Sequence, residues 1–246
     1  MPTLRNTVAA ACLLATGMHG HALAAAAPRV DPAAVSQRIV REVNAFREQQ
    51  GRRALQVDER LVAAAQDFAA HLARTGRLSH EADGRTPAQR ARQHGYAYCI
   101  VDENIGYEQR NSGFDDQELA QRLVEGWKRS PPHRHNILDA DVSETAVALA
   151  YESTTGRWFA VQMFAAPHAS RSVFEVSNAT AGSVRYRLGE QAFDLAPRVI
   201  RSHQECRPRA IVLESAGPGA SIAQPRDGDR YRVVRDRSGS LLLERE

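Results

Sequence analysis

The chain has 246 residues, 43% of them hydrophobic and 25% charged, with a formal net charge of +3. That length suffices for one sizeable domain or two smaller ones, each with its own core. So small a charge excess excludes a polyanion-binding surface, and no nucleic-acid partner is expected.

The N-terminus carries Arg5, the apolar run Val8 to Ala15 and the small residues Ala22 and Ala24. A membrane span needs ~20 apolar residues, so this pattern reads as a secretory signal peptide over residues 1–24, cut after Ala24 or nearby. No later segment is apolar for long enough to cross a bilayer, and the mature protein is expected to be secreted or periplasmic. Asp31 and Pro32 then read as an N-cap and first helical residue, with Val35, Ile39, Val43 and Phe46 on one face of a helix ending before Gly51. A second helix starts near Asp58, aligns Leu61, Ala65, Phe68 and Leu72, and stops at Gly76. Thr86 and Gln89 form a capping box around Pro87, predicting a short third helix to about His94 and Gly95. A fourth carries Leu119, Leu123 and Trp127 and is broken by Pro131 and Pro132. Strand-like runs follow at Thr145 to Ala150 and Trp158 to Phe164.

Beyond Ser170 the pattern changes to short β-rich runs: Ser172 to Val176, Ser183 to Leu188, Ala210 to Leu213, Tyr231 to Val234 and Leu241 to Leu243. The last two bracket Arg237 to Ser240, a hairpin turn. The fold class is therefore α+β, with a helix-rich domain over residues 31–165 and a small all-β module over residues 172–246. Two cysteines remain after export, Cys99 and Cys206. Their even number in an exported chain predicts a disulfide, a buried free thiol at each being the alternative.

Four side chains stand out chemically. His80 and His133 each follow a helix, and Glu103 and Glu144 each sit where a loop meets an ordered segment. Neutral imidazole is the commonest protein ligand for zinc or copper, and carboxylates complete or orient such sites. Taken singly, each His reads as a surface or hydrogen-bonding residue. His133 and His135 lie two apart on a helical turn capped by Ser130, so only one of them enters a shared pocket. Neither an HExxH motif nor a serine-nucleophile motif occurs.

In order along the chain, Asn44-x-x-Arg47, Leu78-Ser79-His80, Asp83-Gly84-Arg85, Gly95-Tyr96, Glu103-Asn104-Ile105, Trp127-x-x-Ser130-Pro131-x-His133-Arg134, Asn136-Ile137-Leu138, Ser143-Glu144 and Trp158 to Phe164 resemble the bacterial branch of the CAP superfamily. These are the cysteine-rich secretory, antigen and pathogenesis-related proteins, or SCP domains. The resemblance covers about residues 35 to 165. It implies an α-β-α sandwich with a central antiparallel sheet, a groove across it, and secretion. It also implies a groove of two His and acidic residues that in several members binds a divalent metal. Carried onto this chain these are His80, Glu103 and His133, while Ser130 stands where the eukaryotic pattern has Glu, and Glu144 is taken as the fourth member. Asp102 replaces the usual Gly before Glu103, and Ala146 and Ala148 replace two Gly after Glu144.

The function so implied is a secreted protein whose groove binds a divalent metal, zinc or copper, through His80 and His133, together with a small lipid, peptide or cell-envelope polymer. The alternatives are a secreted metal-dependent hydrolase with Glu103 as base and a non-catalytic envelope adaptor. No nucleotide cofactor is expected, and catalysis is left open.

Overall fold

Asp31 accepts a hydrogen bond from Ala33 N and opens helix α1 (Pro32–Gln49), with Pro at the first helical position. Asp58 caps α2 (Glu59–Thr75) through the amides of Arg60 and Leu61, and Gly76 ends that helix in the left-handed conformation, φ 64°. Caps of this kind each contribute about 1 kcal/mol. The Thr86 and Gln89 capping box starts α3 (Pro87–Gln93) as its spacing predicts. These details come from a computed structural model that describes residues 30–214 and 222–246; the expected signal peptide, residues 1–24, lies outside the described residues.

The short β1 (Gln56–Val57) precedes α2, and α3 leads into the long strand β2 (Tyr98–Gln109). Then come α4 (Asp116–Arg129), α5 (Pro131–Leu138), β3 (Glu144–Glu152) and β4 (Arg157–Pro167). The prolines expected to break the fourth helix do so and at once begin the fifth. The strands form one sheet in the order β1-β3-β4-β2, antiparallel except for the parallel pairing of β1 with β3.

Both sheet faces are covered, which is why β3 and β4 read as nearly continuous apolar runs. On one face Leu61, Ala65, Phe68 and Leu72 of α2 pack against Ile105, Ala146, Val161 and Met163. On the other, Val35, Ile39 and Val43 of α1 and Leu119, Leu123 and Trp127 of α4 pack against Val147, Ala160 and Phe164. The result is an α-β-α sandwich. Gly106 lets the Trp127 ring lie close against β2, since a Cβ there would stand 3.2 Å from Trp127 Nε1 and push the ring back by a few tenths of an ångström. Asn44 exchanges two hydrogen bonds with the backbone of Leu55, and buried Arg47 donates to the carbonyls of Ile137 and Asp139, closing the end of α5.

One sheet edge is left open. The carbonyls of Ser143 and Thr145 accept from Gln56 N and Asp58 N, so Val147 and Leu149, two and four residues further on, turn their backbone groups the same way. β4 pairs with β3 on the other side, but among the described residues no strand pairs with this edge beyond Thr145. Val147 and Leu149 line a groove of about 670 Å³ walled by Val40 and Arg41 of α1 and by Val62 and Gln66 of α2.

The C-terminal residues fold into two four-stranded sheets. One is ordered β10-β9-β6-β7, from β6 (Val184–Leu188), β7 (Gln191–Leu195), β9 (Ile211–Leu213) and β10 (Ile222–Ala223). The other is ordered β12-β11-β5-β8, from β5 (Ser172–Asn178), β8 (Ile200–Glu205), β11 (Arg230–Arg235) and β12 (Leu241–Arg245). The expected hairpin joins β11 to β12, with Asp236 accepting from Ser238 N and Ser240 N. β7, β8 and β10 were not anticipated: β7 and β8 are largely exposed, with little apolar alternation, and β10 has only two residues.

Phe174, Tyr186, Tyr231 and Val233 contribute to the core of this module. The same core holds His203, whose Nε2 lies 2.6 Å from Tyr186 Oη between the rings of Phe174 and Phe193. Burial, with the Arg201 charge a lesser cause, pushes His203 below its ordinary range, and burial pushes the Tyr186 phenol up to about 12. A His whose folded pKa is depressed binds its proton more readily in the unfolded chain. Its stabilisation is present above the unfolded value of ~6.5 and is lost as pH falls below it. The melting temperature is therefore expected to drop between pH 7.5 and 5.5. A Tyr186→Phe/His203→Leu pair should flatten that slope, and an unchanged slope would remove His203 as its source.

Candidate functional site

Glu103 was expected where a loop meets an ordered segment. The structure corrects this: it lies in the middle of β2, opposite Met163 of β4, on the sheet face that α2 and α3 cover. A carboxylate in that position needs compensation. Arg90, on the inner side of α3, supplies it by donating from Nη2 to Oε1 at 3.0 Å and to Oε2 at 2.8 Å. Both side chains are almost wholly buried, 4% and 1% exposed. Arg90 also donates to Asp83 Oδ1 at 2.9 Å and to the carbonyls of His80 and Arg85, while its guanidinium lies 3.5 Å over the Phe68 ring.

His80 sits in the loop after α2, half-exposed, and its Nδ1 donates to Glu103 Oε1 at 2.8 Å. The chain Asp83–Arg90–Glu103–His80 is therefore continuous. In the neutral ring, Nδ1 donating leaves the lone pair on Nε2, the arrangement in which a carboxylate orients a metal-binding imidazole.

His133 arrives from the opposite side of β2. The Ser130 side chain was expected to cap its helix, yet makes no capping hydrogen bond. Pro131 and Pro132 fill the first two helical positions and remove one of the amides that such a cap would bind. Two asparagines instead lace α5 to β2: Asn104 Nδ2 donates to the His133 carbonyl, and Asn136 Nδ2 donates to the carbonyl of Glu103 and to Asn104 Oδ1. Burial, and secondarily the charge of nearby His80, push His133 below its ordinary range, favouring the neutral imidazole. His135 is exposed on the same helix.

Glu144 stands elsewhere. It opens β3, two strands away from β2, and accepts the hydroxyl of fully buried Tyr96, whose ring lies under the Arg60 guanidinium at 5.0 Å. Burial and that bond drive the Tyr96 phenol far above its ordinary range. Among the described residues no hydrogen bond or ion pair joins Glu144 to His80, Glu103 or His133, and no group of three or more His, Cys, Asp and Glu could hold a metal ion. Arg90, Asn104 and Asn136 were not anticipated as part of the site. The available signal was Arg90 four residues after the Thr86 cap, beside Ala91 on the helix's inner face.

A family model for the cysteine-rich secretory protein family, CAP, matches residues 40–164, half of the chain. The chain belongs to the CAP family. The matched segment runs from α1 to β4 and contains the four residues discussed above, whereas β5 to β12 lie beyond it. Similar solved structures include an outer surface protein of Borrelia burgdorferi, 18% identical, TM-score 0.49, aligned over 56% of this chain and 96% of that one. An extracellular SCP-domain protein of Bacillus anthracis is 19% identical, TM-score 0.47, over 55% of this chain and 41% of that one. A cysteine-rich secretory protein of Staphylococcus aureus is 16% identical, TM-score 0.44, over 56% and 40%. No curated protein matches the chain significantly.

Proposed function

We propose that this CAP-family chain is an exported binding protein, secreted or periplasmic. Its groove, between the His80 loop and α5, takes a lipid, peptide or envelope polymer with help from a divalent metal. The observation that carries the reading is the His80–Glu103–Arg90 chain beside His133, which burial pushes below its ordinary range. Burying an arginine and a carboxylate to hold one half-exposed imidazole is costly for a fold that needs only stability. It is understandable where the imidazole must present one nitrogen in one orientation. In the same reading residues 31–165 are the binding unit and residues 172–246 a second folding unit.

The donors suit a metal in part. His80 and His133 would be its protein ligands, zinc or copper being the ions such nitrogens favour. Both oxygens of Glu103 are engaged by Arg90, so Glu103 orients His80 and is not a third ligand, and Glu144 lies with Tyr96. When bound, the ion would supply a Lewis-acidic anchor for an anionic or carbonyl group of the ligand. Binding is favoured over hydrolysis because both oxygens of Glu103, the residue a metal-dependent hydrolase would use as base, are engaged by Arg90 and His80. Isothermal titration with zinc is expected to show binding by the parent and by His135→Ala, and losses of at least about tenfold for His80→Ala and His133→Ala. Absence of binding by the parent, or equal binding by all three variants, would reduce the cluster to a structural network.

A further inference from the structure

The C-terminal module touches the sandwich at a consequential place. Cys99 near the start of β2 is bonded to Cys206, 107 residues later, with 5.4 Å between their Cα atoms. The next residue, Arg207, reaches back into the sandwich. Its Nη2 donates to Asp102 Oδ2 at 3.0 Å and also to Asp139 Oδ2, and its Nε lies 3.7 Å from Asp141 Oδ2. Asp102 immediately precedes Glu103 on β2. Asp139 immediately follows α5, whose first turn carries His133, and its carboxylate is almost buried. One guanidinium from outside the CAP-family match therefore ties together the two elements that carry the two halves of the groove.

We propose that Arg207 is a positioning residue, through which the C-terminal module sets the spacing between the His80–Glu103 pair and His133. The physical case is one of like charges. Without Arg207, Asp102 loses its ion-pair partner and Asp139 keeps only the charge of Arg47, on its α1 side, so the like charges of Asp102 and Asp139 are no longer bridged and favour a wider separation of β2 and α5. The asparagine bonds hold α5 to β2 at Asn104 and Asn136, and Arg47 holds the backbone at its C-terminal end to α1, whereas Arg207 is what ties that end to Asp102 of β2, so losing it loosens α5 against β2. A lysine would restore the charge but not the fork that reaches several carboxylates at once. The disulfide keeps the module tethered whichever residue stands at 207, so the ion pairs are separable from the tether.

The coupling to metal rests on the binding reading above, and the test has two arms for that reason. In the first, hydrogen exchange is followed in the oxidised, metal-free full chain. Arg207→Ala should speed exchange of the α5 amides about tenfold, leave α2 unchanged, and be partly rescued by Arg207→Lys. Unaltered α5 exchange overturns the strut whatever the site binds. In the second, zinc is titrated into the same proteins. Arg207→Ala should weaken binding about tenfold, with Arg207→Lys between it and the parent. If the parent binds zinc and Arg207→Ala binds it equally well, the coupling is wrong. If the parent takes no zinc, the metal reading falls and the exchange arm still decides the strut.

Discussion

Arg90→Met is expected to cost about 3–5 kcal/mol of stability, the range for removing one partner of a buried ion pair. The cost arises at Glu103, which would be left almost wholly buried with only the His80 bond on its side chain. Glu103→Leu should cost less, because Arg90 keeps Asp83 and the carbonyls of His80 and Arg85. The double variant Arg90→Met/Glu103→Leu should recover a substantial part of the loss, as apolar replacement of a buried pair often does. Urea unfolding of the four proteins measures this directly. Should Arg90→Met unfold at the parent's midpoint, or the two single costs simply add, Arg90 and Glu103 do not form the coupled pair described.

The second large effect concerns the Cys99–Cys206 bond. It closes a loop of 107 residues spanning both sheet systems. In the chain-entropy account a loop of that size stabilises by about 4–5 kcal/mol through restriction of the unfolded chain. Cys99→Ser/Cys206→Ser should therefore unfold at markedly lower urea than the oxidised parent and coincide with the parent in reductant. Three superimposable curves would show that the bond contributes nothing to stability.

Much of the fold was legible because it is written locally. The caps at Asp31, Asp58 and Thr86, the stop at Gly76 and the four-residue stripes each depend on neighbours in sequence. β2 was not legible: its centre reads Asp-Glu-Asn, which resembles a turn, and those polar side chains find their partners in distant segments, Arg207 for Asp102, Arg90 and His80 for Glu103, and Asn136 and the His133 carbonyl for Asn104. The site followed the same division. The histidines and Glu103 were identified by their order in a resembling pattern, and the structure joins His80 to Glu103 directly. Glu144 was grouped with them, yet its nearest polar partner is Tyr96, because β4 intervenes between β3 and β2. Arg90 and Arg207 were hidden among the chain's many arginines: only the helical position of Arg90 after the Thr86 cap hinted at burial, and nothing near Arg207 distinguishes a bridging guanidinium from a solvated charge.

The unfinished edge of β3 bears on how this protein keeps company with itself. Unpaired strand backbone normally invites the edge of another sheet, and from there runaway association. Here the free groups of Val147 and Leu149 lie at the floor of a groove whose walls are helices, Val40 and Arg41 on one side and Val62 and Gln66 on the other. A second copy would have to bring its own sheet, with helices on both faces, between those walls. The edge is open but fenced, and the protein can tolerate a two-residue outer strand without the charged or proline-bearing edge that an unfenced sheet would need.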